Sequence, residues 1–249
     1  MPDALLPPVV MLRGLIRSNF HWGDFPERLA PWCTNIIRPE IPGNGFRFNE
    51  KTPASIHALM KDVRQQVIAQ HSGPVIIVAV SMGAMIAMEW ARCYPAEIAA
   101  MHLINTSLAN MSLPWQRMQA PALLSLVAHA TGRDRLESCI MRWTMNLADR
   151  KSLQDRWLAF NREHPLTWGN GIAQMWAASR YRGPLTAPIK DVWFYNAEKD
   201  HLVKSACTAR IASKWQKPLD THPTAGHDLP MDAGDWLASL IGPRLNLMV

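Results

Sequence analysis

Ser81 is the residue of this 249-residue chain whose surroundings best fit a nucleophile. It ends the β-branched run Val75-Ile76-Ile77-Val78-Ala79-Val80, and Met82-Gly83-Ala84 opens a stretch of helical character that runs to Cys93. A serine between a strand and a helix needs small residues two places before and after it, because the turn is so tight; here they are Ala79 and Gly83. Such a turn lifts the hydroxyl to the end of the sheet and aims the N–H of Met82 at the place where an oxyanion would form. A serine hydroxyl is a weak nucleophile at neutral pH, so it requires a base, and the base requires a group that orients it. His227, in Thr224-Ala225-Gly226-His227-Asp228 near the C-terminus, is the leading base, with His201 and His222 as competitors. Asp200, in Asn196-Ala197-Glu198-Lys199-Asp200, lies just past a strand and is the leading carboxylate; Glu198 and Asp191 compete with it. Asp191 begins that strand and so falls at its wrong end. His102 reads as a strand histidine, and His21 lies close enough to Gly14 for a substrate contact.

The elements that must position these groups alternate in type. Strands are expected at Val9–Leu12, Asn35–Pro39, Val75–Val80, Ala99–Asn105 and Asp191–Tyr195. A helix is expected from Thr52 to Gln70, with Thr52 as its N-cap, Pro53 at its first position and Ile56, Leu59, Met60, Val63 and Val67 on its apolar face. Strands alternating with helices predict an α/β fold: a mostly parallel sheet with helices on both faces. From Ser107 to Pro188 the strand signal disappears, and helices are expected near Pro121–Thr131, Arg133–Leu147, Lys151–Glu163 and Thr167–Arg180. The expected division is therefore a core of residues 1–108 and 188–249 and a helical cap of residues 109–187. Loops beyond strand C-termini border the ligand crevice in open α/β sheets, which places this cap over Ser81.

Composition narrows the classes. No apolar run approaches ~18 residues, so no membrane span is expected. The four scattered cysteines, Cys33, Cys93, Cys139 and Cys207, and the absence of a signal-peptide pattern at the start point to a cytoplasmic protein with reduced thiols. No His/Cys group has metal-ligand spacing, and neither a metal nor another cofactor is expected. Residues 109–187 contain ten Lys and Arg against five Asp and Glu, so this segment carries +5 of the formal +6 of the chain. Such a surface is compatible with an anionic substrate or an acidic protein partner, although a merely solvated basic face is the simpler reading. Nucleic acid is not expected, since no basic run is interleaved with stacking aromatics.

Several segments together resemble the α/β-hydrolase superfamily, in particular its capped members. Ser81, Asp200 and His227 follow its nucleophile–acid–base order. Gly14-Leu15 is similar to its His-Gly oxyanion turn, with Trp22 where a tryptophan often follows. Pro39-Glu40-Ile41-Pro42-Gly43-Asn44-Gly45 is similar to its Asp-x-Pro-Gly-x-Gly segment. The chain departs from the pattern in Arg13 for the usual histidine, Ala79 for a glycine and Glu40 for an aspartate. The resemblance implies that Ser81 is nucleophile, His227 base and then acid, Asp200 the orienting carboxylate, and the N–H groups of Leu15 and Met82 the oxyanion hole. It implies a serine carboxylesterase acting on a small-molecule ester of a small or medium apolar acyl group. The implied alternatives are a C–C bond hydrolase of ring-cleavage diketones, a methyl ester esterase served by an acidic acyl carrier protein, and a non-catalytic binding member. Gly14, Trp22, Trp143 and Trp176 are the expected substrate contacts. Trp115, Trp157 and Trp168, with Met111, Met118, Met141, Met145 and Met175, supply further apolar surface in the cap.

Overall fold

The structure, a computed structural model, describes residues 6–129 and 132–246. Six strands, β1 (Val9–Leu12), β2 (Ile36–Ile37), β3 (Val75–Val80), β4 (Ile98–Ile104), β5 (Val192–Ala197) and β6 (Leu219–His222), form one sheet in the order β2-β1-β3-β4-β5-β6. Every neighbouring pair is parallel. A parallel sheet is apolar on both faces, and the strands here divide their side chains with a period of two. Val10, Leu12, Ile77, Ala79, Leu103 and Phe194 enter one apolar cluster, while Val9, Met11, Ile76, Val78, Val80 and Tyr195 enter the other. Helices α1 (Phe25–Leu29), α2 (Ile56–Ile68) and α3 (Met82–Cys93) lie between the early strands. Five more occupy the connection from β4 to β5: α4 (Pro114–Arg117), α5 (Ala120–His129), α6 (Arg133–Thr144), α7 (Arg150–Glu163) and α8 (Trp168–Arg180). The chain ends with α9 (Ala206–Trp215), α10 (Leu229–Asp232) and α11 (Gly234–Leu245). Helices α2, α3 and α9 cover the first cluster, and α1 and α11 cover the second.

The strand order reverses between β1 and β3. Ligand crevices form beyond strand C-termini at such a point. The residues that follow β1 and β3 are Arg13-Gly14-Leu15 and Ser81, so the topology alone brings these two segments together.

Helix α2 starts later than its sequence predicts. Ser55, not Thr52, is its N-cap and accepts the N–H of Ala58. Thr52 instead ties a loop to α8: its hydroxyl donates to Pro42 O at 2.6 Å and its N–H to Asn170 Oδ1 at 3.0 Å. The short helix α4 has no counterpart among the predicted elements. The end of the helix expected at Pro121–Thr131 lies outside the described residues.

His102, on β4, is wholly buried, with its Nδ1 2.8 Å from the Tyr195 hydroxyl. Burial, helped by Arg244, pulls its pKa down to about 3. The unfolded chain therefore binds a proton in the interval between about 6.5 and 3 that the folded chain refuses. This contribution to stability is present above pH ~6.5 and is lost as the pH falls through that interval. His102→Gln, followed by urea titration at successive pH values, is expected to flatten that acid limb relative to wild type.

Candidate active site

Ser81 adopts φ 56° and ψ −115°, a left-handed backbone that a side chain tolerates poorly. Its N–H donates to Ile104 O at 2.8 Å, which pins the turn to β4. Gly83 permits the turn to close: a Cβ there would lie 2.5 Å from Leu12 O and 2.6 Å from Arg13 O. Those atoms are backbone and cannot swing aside. Gly83→Ala is expected to destabilise the fold by roughly 1–3 kcal/mol, read as a lower urea midpoint at unchanged slope. Gly14 brings the other loop against the serine, since a Cβ on Gly14 would sit 3.1 Å from Ser81 Cβ. In the same loop Ile16 has φ 53°, which is strained for a β-branched residue, and its N–H donates to Gln174 Oε1 on α8 at 2.7 Å. Neither the Leu15 nor the Met82 N–H donates to another group among the described residues. Met82 also stands at the positive N-terminal end of α3.

His227 Nδ1 is 2.6 Å from Asp200 Oδ2. The other carboxylate oxygen of Asp200 accepts the N–H groups of Leu202 at 2.8 Å and Val203 at 2.9 Å. With one oxygen held by backbone, the second is fixed toward the imidazole, and both side chains are buried. Ser81 and His227 line the same cavity, without a hydrogen bond between Ser81 Oγ and the imidazole among the described residues. The competitors fall elsewhere. His201 and Glu198 are exposed. His222 Nδ1 accepts the N–H groups of Thr224 and Ala225 and so shapes the turn leading to His227.

The cavity, of about 530 Å³, lies between the sheet and the helical insertion. Gly14, Leu15, Ser81 and Met82 form part of its floor, and Trp115, Met118, Trp143 and Met175 part of its roof. Of the four residues expected as substrate contacts, Gly14 and Trp143 line this cavity, and Trp22 and Trp176 do not. Trp22 is wholly buried, stacked on Phe25, with the Arg13 guanidinium over its ring. Trp176 is exposed and faces the Arg180 guanidinium. Met141, Met145 and Trp157 form a small apolar cluster within the insertion instead of lining the cavity. His21 is also walled off: it accepts the Ser18 N–H, packs edge-on to Trp157, and is held well below its ordinary pKa by burial and by Arg17 and Arg13.

Long-range partners of the site escaped the reading of the sequence. Arg13 makes a buried two-pronged ion pair with Asp228, at 3.0 and 2.6 Å, joining the Gly14 loop to the His227 loop. Asn105, at the end of β4, donates to His227 O at 2.8 Å and accepts the Ala197 N–H at 2.9 Å. Thr144 O, at the end of α6, accepts the Asp228 N–H at 2.8 Å, so the insertion braces the histidine loop. Away from the cavity, His57, Glu89 and Cys93 form the one group of potential metal ligands among the described residues. The Glu89 carboxylate there is already engaged by Arg92 and the Tyr181 hydroxyl.

Residues 9–240 match the model of the alpha/beta hydrolase family, and the chain belongs to that family. No curated protein matches it. Among solved structures it is similar to a thermophilic esterase from Thermogutta terrifontis, with TM-score 0.74, 17% identity, and 97% of this chain and 90% of that one covered. It is also similar to a lipase-esterase related protein from Clostridium acetobutylicum, with TM-score 0.71, 12% identity, and coverage of 94% and 93%. A third likeness is to 2-hydroxy-6-oxo-6-phenylhexa-2,4-dienoate hydrolase from Rhodococcus sp. strain RHA1, with TM-score 0.75, 17% identity, and coverage of 99% and 91%. At these identities the likeness establishes the α/β-hydrolase fold.

Proposed function

We propose that the chain is a serine hydrolase that cleaves carboxylic esters through an acyl-enzyme, with residues 109–187 acting as a cap over the site. The observation that carries this reading is the His227–Asp200 contact at 2.6 Å, facing a cavity shared with a conformationally strained Ser81. In this reading His227 Nε2 takes the proton of Ser81 Oγ as the oxygen attacks the ester carbonyl. Asp200 keeps the Nδ1 proton in place and stabilises the imidazolium that forms. The oxyanion accepts the N–H groups of Leu15 and Met82, each such donor lowering the barrier by ~3 kcal/mol. His227 then protonates the leaving alkoxide, and a water molecule activated by the same imidazole releases the acid. The apolar walls favour apolar acyl groups, since burying each CH₂ contributes ~0.8 kcal/mol.

A panel of p-nitrophenyl esters from acetate to octanoate tests the reading. Turnover with an initial nitrophenolate burst approaching one per chain is expected wherever deacylation is the slower step. A folded protein that releases no nitrophenolate from any member would point to a binding role. Turnover confined to vinylogous diketones would point to C–C hydrolysis.

A further inference from the structure

Helix α8 is inverted with respect to solvent. A surface helix ordinarily turns its apolar stripe to the core and its polar residues to water. Here the polar residues Asn170 and Gln174 are buried and held. Asn170 accepts the Thr52 N–H at 3.0 Å and donates to Glu50 O at 2.9 Å. Gln174 accepts the Ile16 N–H at 2.7 Å and donates to Asn44 Oδ1 at 2.7 Å. Trp168, Ile172, Met175 and Trp176, spaced to share one face, are exposed instead. Helices α4 and α5 are exposed in the same way: Trp115, Leu123, Leu124 and Val127 face solvent, and Ala122 is the one buried residue of α5. Most of the large apolar side chains exposed among the described residues lie on these three helices. Scattered exposed apolar residues need no explanation, but a concentration of them marks a surface that meets something.

The two sets of side chains meet at the cavity. Trp115 and Leu123 on one side and Met175 on the other are exposed and also line it, so they form its rim. Charge is arranged around the same face. The acidic residues of the insertion all fall within residues 134–163, and the segments 108–133 and 164–190, which carry α4, α5 and α8, contain none. At the end of α8, Arg180 and the following Arg182 are exposed, and the Arg180 guanidinium lies 4.8 Å from the centre of the Trp176 ring. Tryptophan, leucine and isoleucine beside arginine, with no carboxylate among them, is the composition of a helix face that lies in the headgroup region of a bilayer.

We infer that the exposed face of α4, α5 and α8 docks on an anionic lipid surface, with the mouth of the cavity turned toward the acyl chains. The other occupants fit less well. A second copy of the chain would pair this face with itself about a two-fold axis, and Arg180 and Arg182 would then meet segments that carry no carboxylate. An acidic protein would be matched by a charged face, whereas most of this one is apolar, and any protein seated on the rim would stopper the cavity. A lipid surface covers the apolar side chains, receives the arginines among its phosphates and leaves the mouth open to molecules dissolved in it. The use of such docking, to deliver an apolar ester to Ser81, rests on the esterase reading; the docking itself does not.

Co-sedimentation of Ser81→Ala with vesicles tests the docking without any turnover. The protein is expected to bind vesicles of phosphatidylcholine mixed with phosphatidylglycerol about 10-fold more tightly than vesicles of phosphatidylcholine alone, and Arg180→Gln with Arg182→Gln is expected to remove the difference. Leu124→Gln with Ile172→Gln replaces side chains that are 69% and 64% exposed and lie outside the cavity lining, at no change in net charge. This pair is expected to weaken binding to the mixed vesicles at least ~10-fold. Placed in the otherwise native chain, it is expected to change kcat/KM for dissolved p-nitrophenyl acetate less than about two-fold. Vesicle binding of this kind by a protein that turns over no ester would uphold the docking and remove the esterase reading. Hydrolysis of dissolved esters by a protein that binds neither vesicle would overturn the docking and leave the esterase reading intact. Binding that is equal on the two vesicles, or that the Leu124 and Ile172 replacements leave unchanged, would also overturn it. So would a dimer in sedimentation velocity that those replacements dissociate, since the face would then belong to a second copy.

Discussion

Ser81→Ala is expected to lower kcat for ester hydrolysis by about 10⁶-fold while the protein remains folded, because loss of the nucleophile removes the covalent route entirely. The side chain lost is small and lies at a cavity wall, so its packing contribution is minor. The backbone makes a second variant more informative. At φ 56° Ser81 holds a conformation that only glycine adopts without cost. Ser81→Gly is therefore expected to be equally inactive yet to unfold at a higher urea concentration than Ser81→Ala, by roughly 1 kcal/mol. A serine retained in a conformation that destabilises the fold is what a positioned nucleophile would require. Equal stability of the two variants would remove that argument.

Asp200→Asn is expected to lower kcat by about 10⁴-fold with a much smaller change in KM, because the orienting charge is replaced by an amide that favours the wrong imidazole tautomer. The geometry leaves little room for compensation. One oxygen of Asp200 is occupied by the N–H groups of Leu202 and Val203, so the group facing His227 in the variant would be the amide nitrogen, a donor set against the donor it must receive. Glu198→Gln, at an exposed position two residues earlier, is expected to change kcat less than about two-fold. A larger effect at Glu198 than at Asp200 would show that the carboxylate is misassigned.

The parts of this site that the sequence made legible are those specified locally. Ser81 could be located because a buried strand, a tight turn and a helix are each written in adjacent residues, and the strand boundaries Val9–Leu12 and Val75–Val80 agree with the structure for the same reason. Asp200 and His227 were placed in loops beyond strand ends by their neighbours, but it was the nucleophile–acid–base order of the α/β-hydrolase superfamily that singled them out from Glu198, His201 and His222. Contacts that depend on distant segments were not legible. Arg13 meets Asp228 across 215 residues and Arg17 meets Glu137 across 120, and no periodicity encodes such a pairing. The tryptophans show the same limit: indole is large and apolar wherever it lies, so composition could not tell Trp143, on the cavity, from Trp22, in the core, or Trp176, in solvent. Thr52 illustrates a different cause. Its type suits an N-cap, but a long-range hydrogen bond to Asn170 on α8 engages its backbone, and the helix waits for Ser55.

The central claim is that Ser81 is the nucleophile, activated by His227. Peptide mapping after reaction of the native protein with a fluorophosphonate tests it most directly, because the reagent is trapped by the same hydroxyl that an ester would acylate. One adduct per chain is expected, on the peptide containing Ser81, absent in Ser81→Ala and slowed by several powers of ten in His227→Ala. An adduct on any other residue of the folded protein, or labelling that persists at wild-type rate in His227→Ala, would contradict the account.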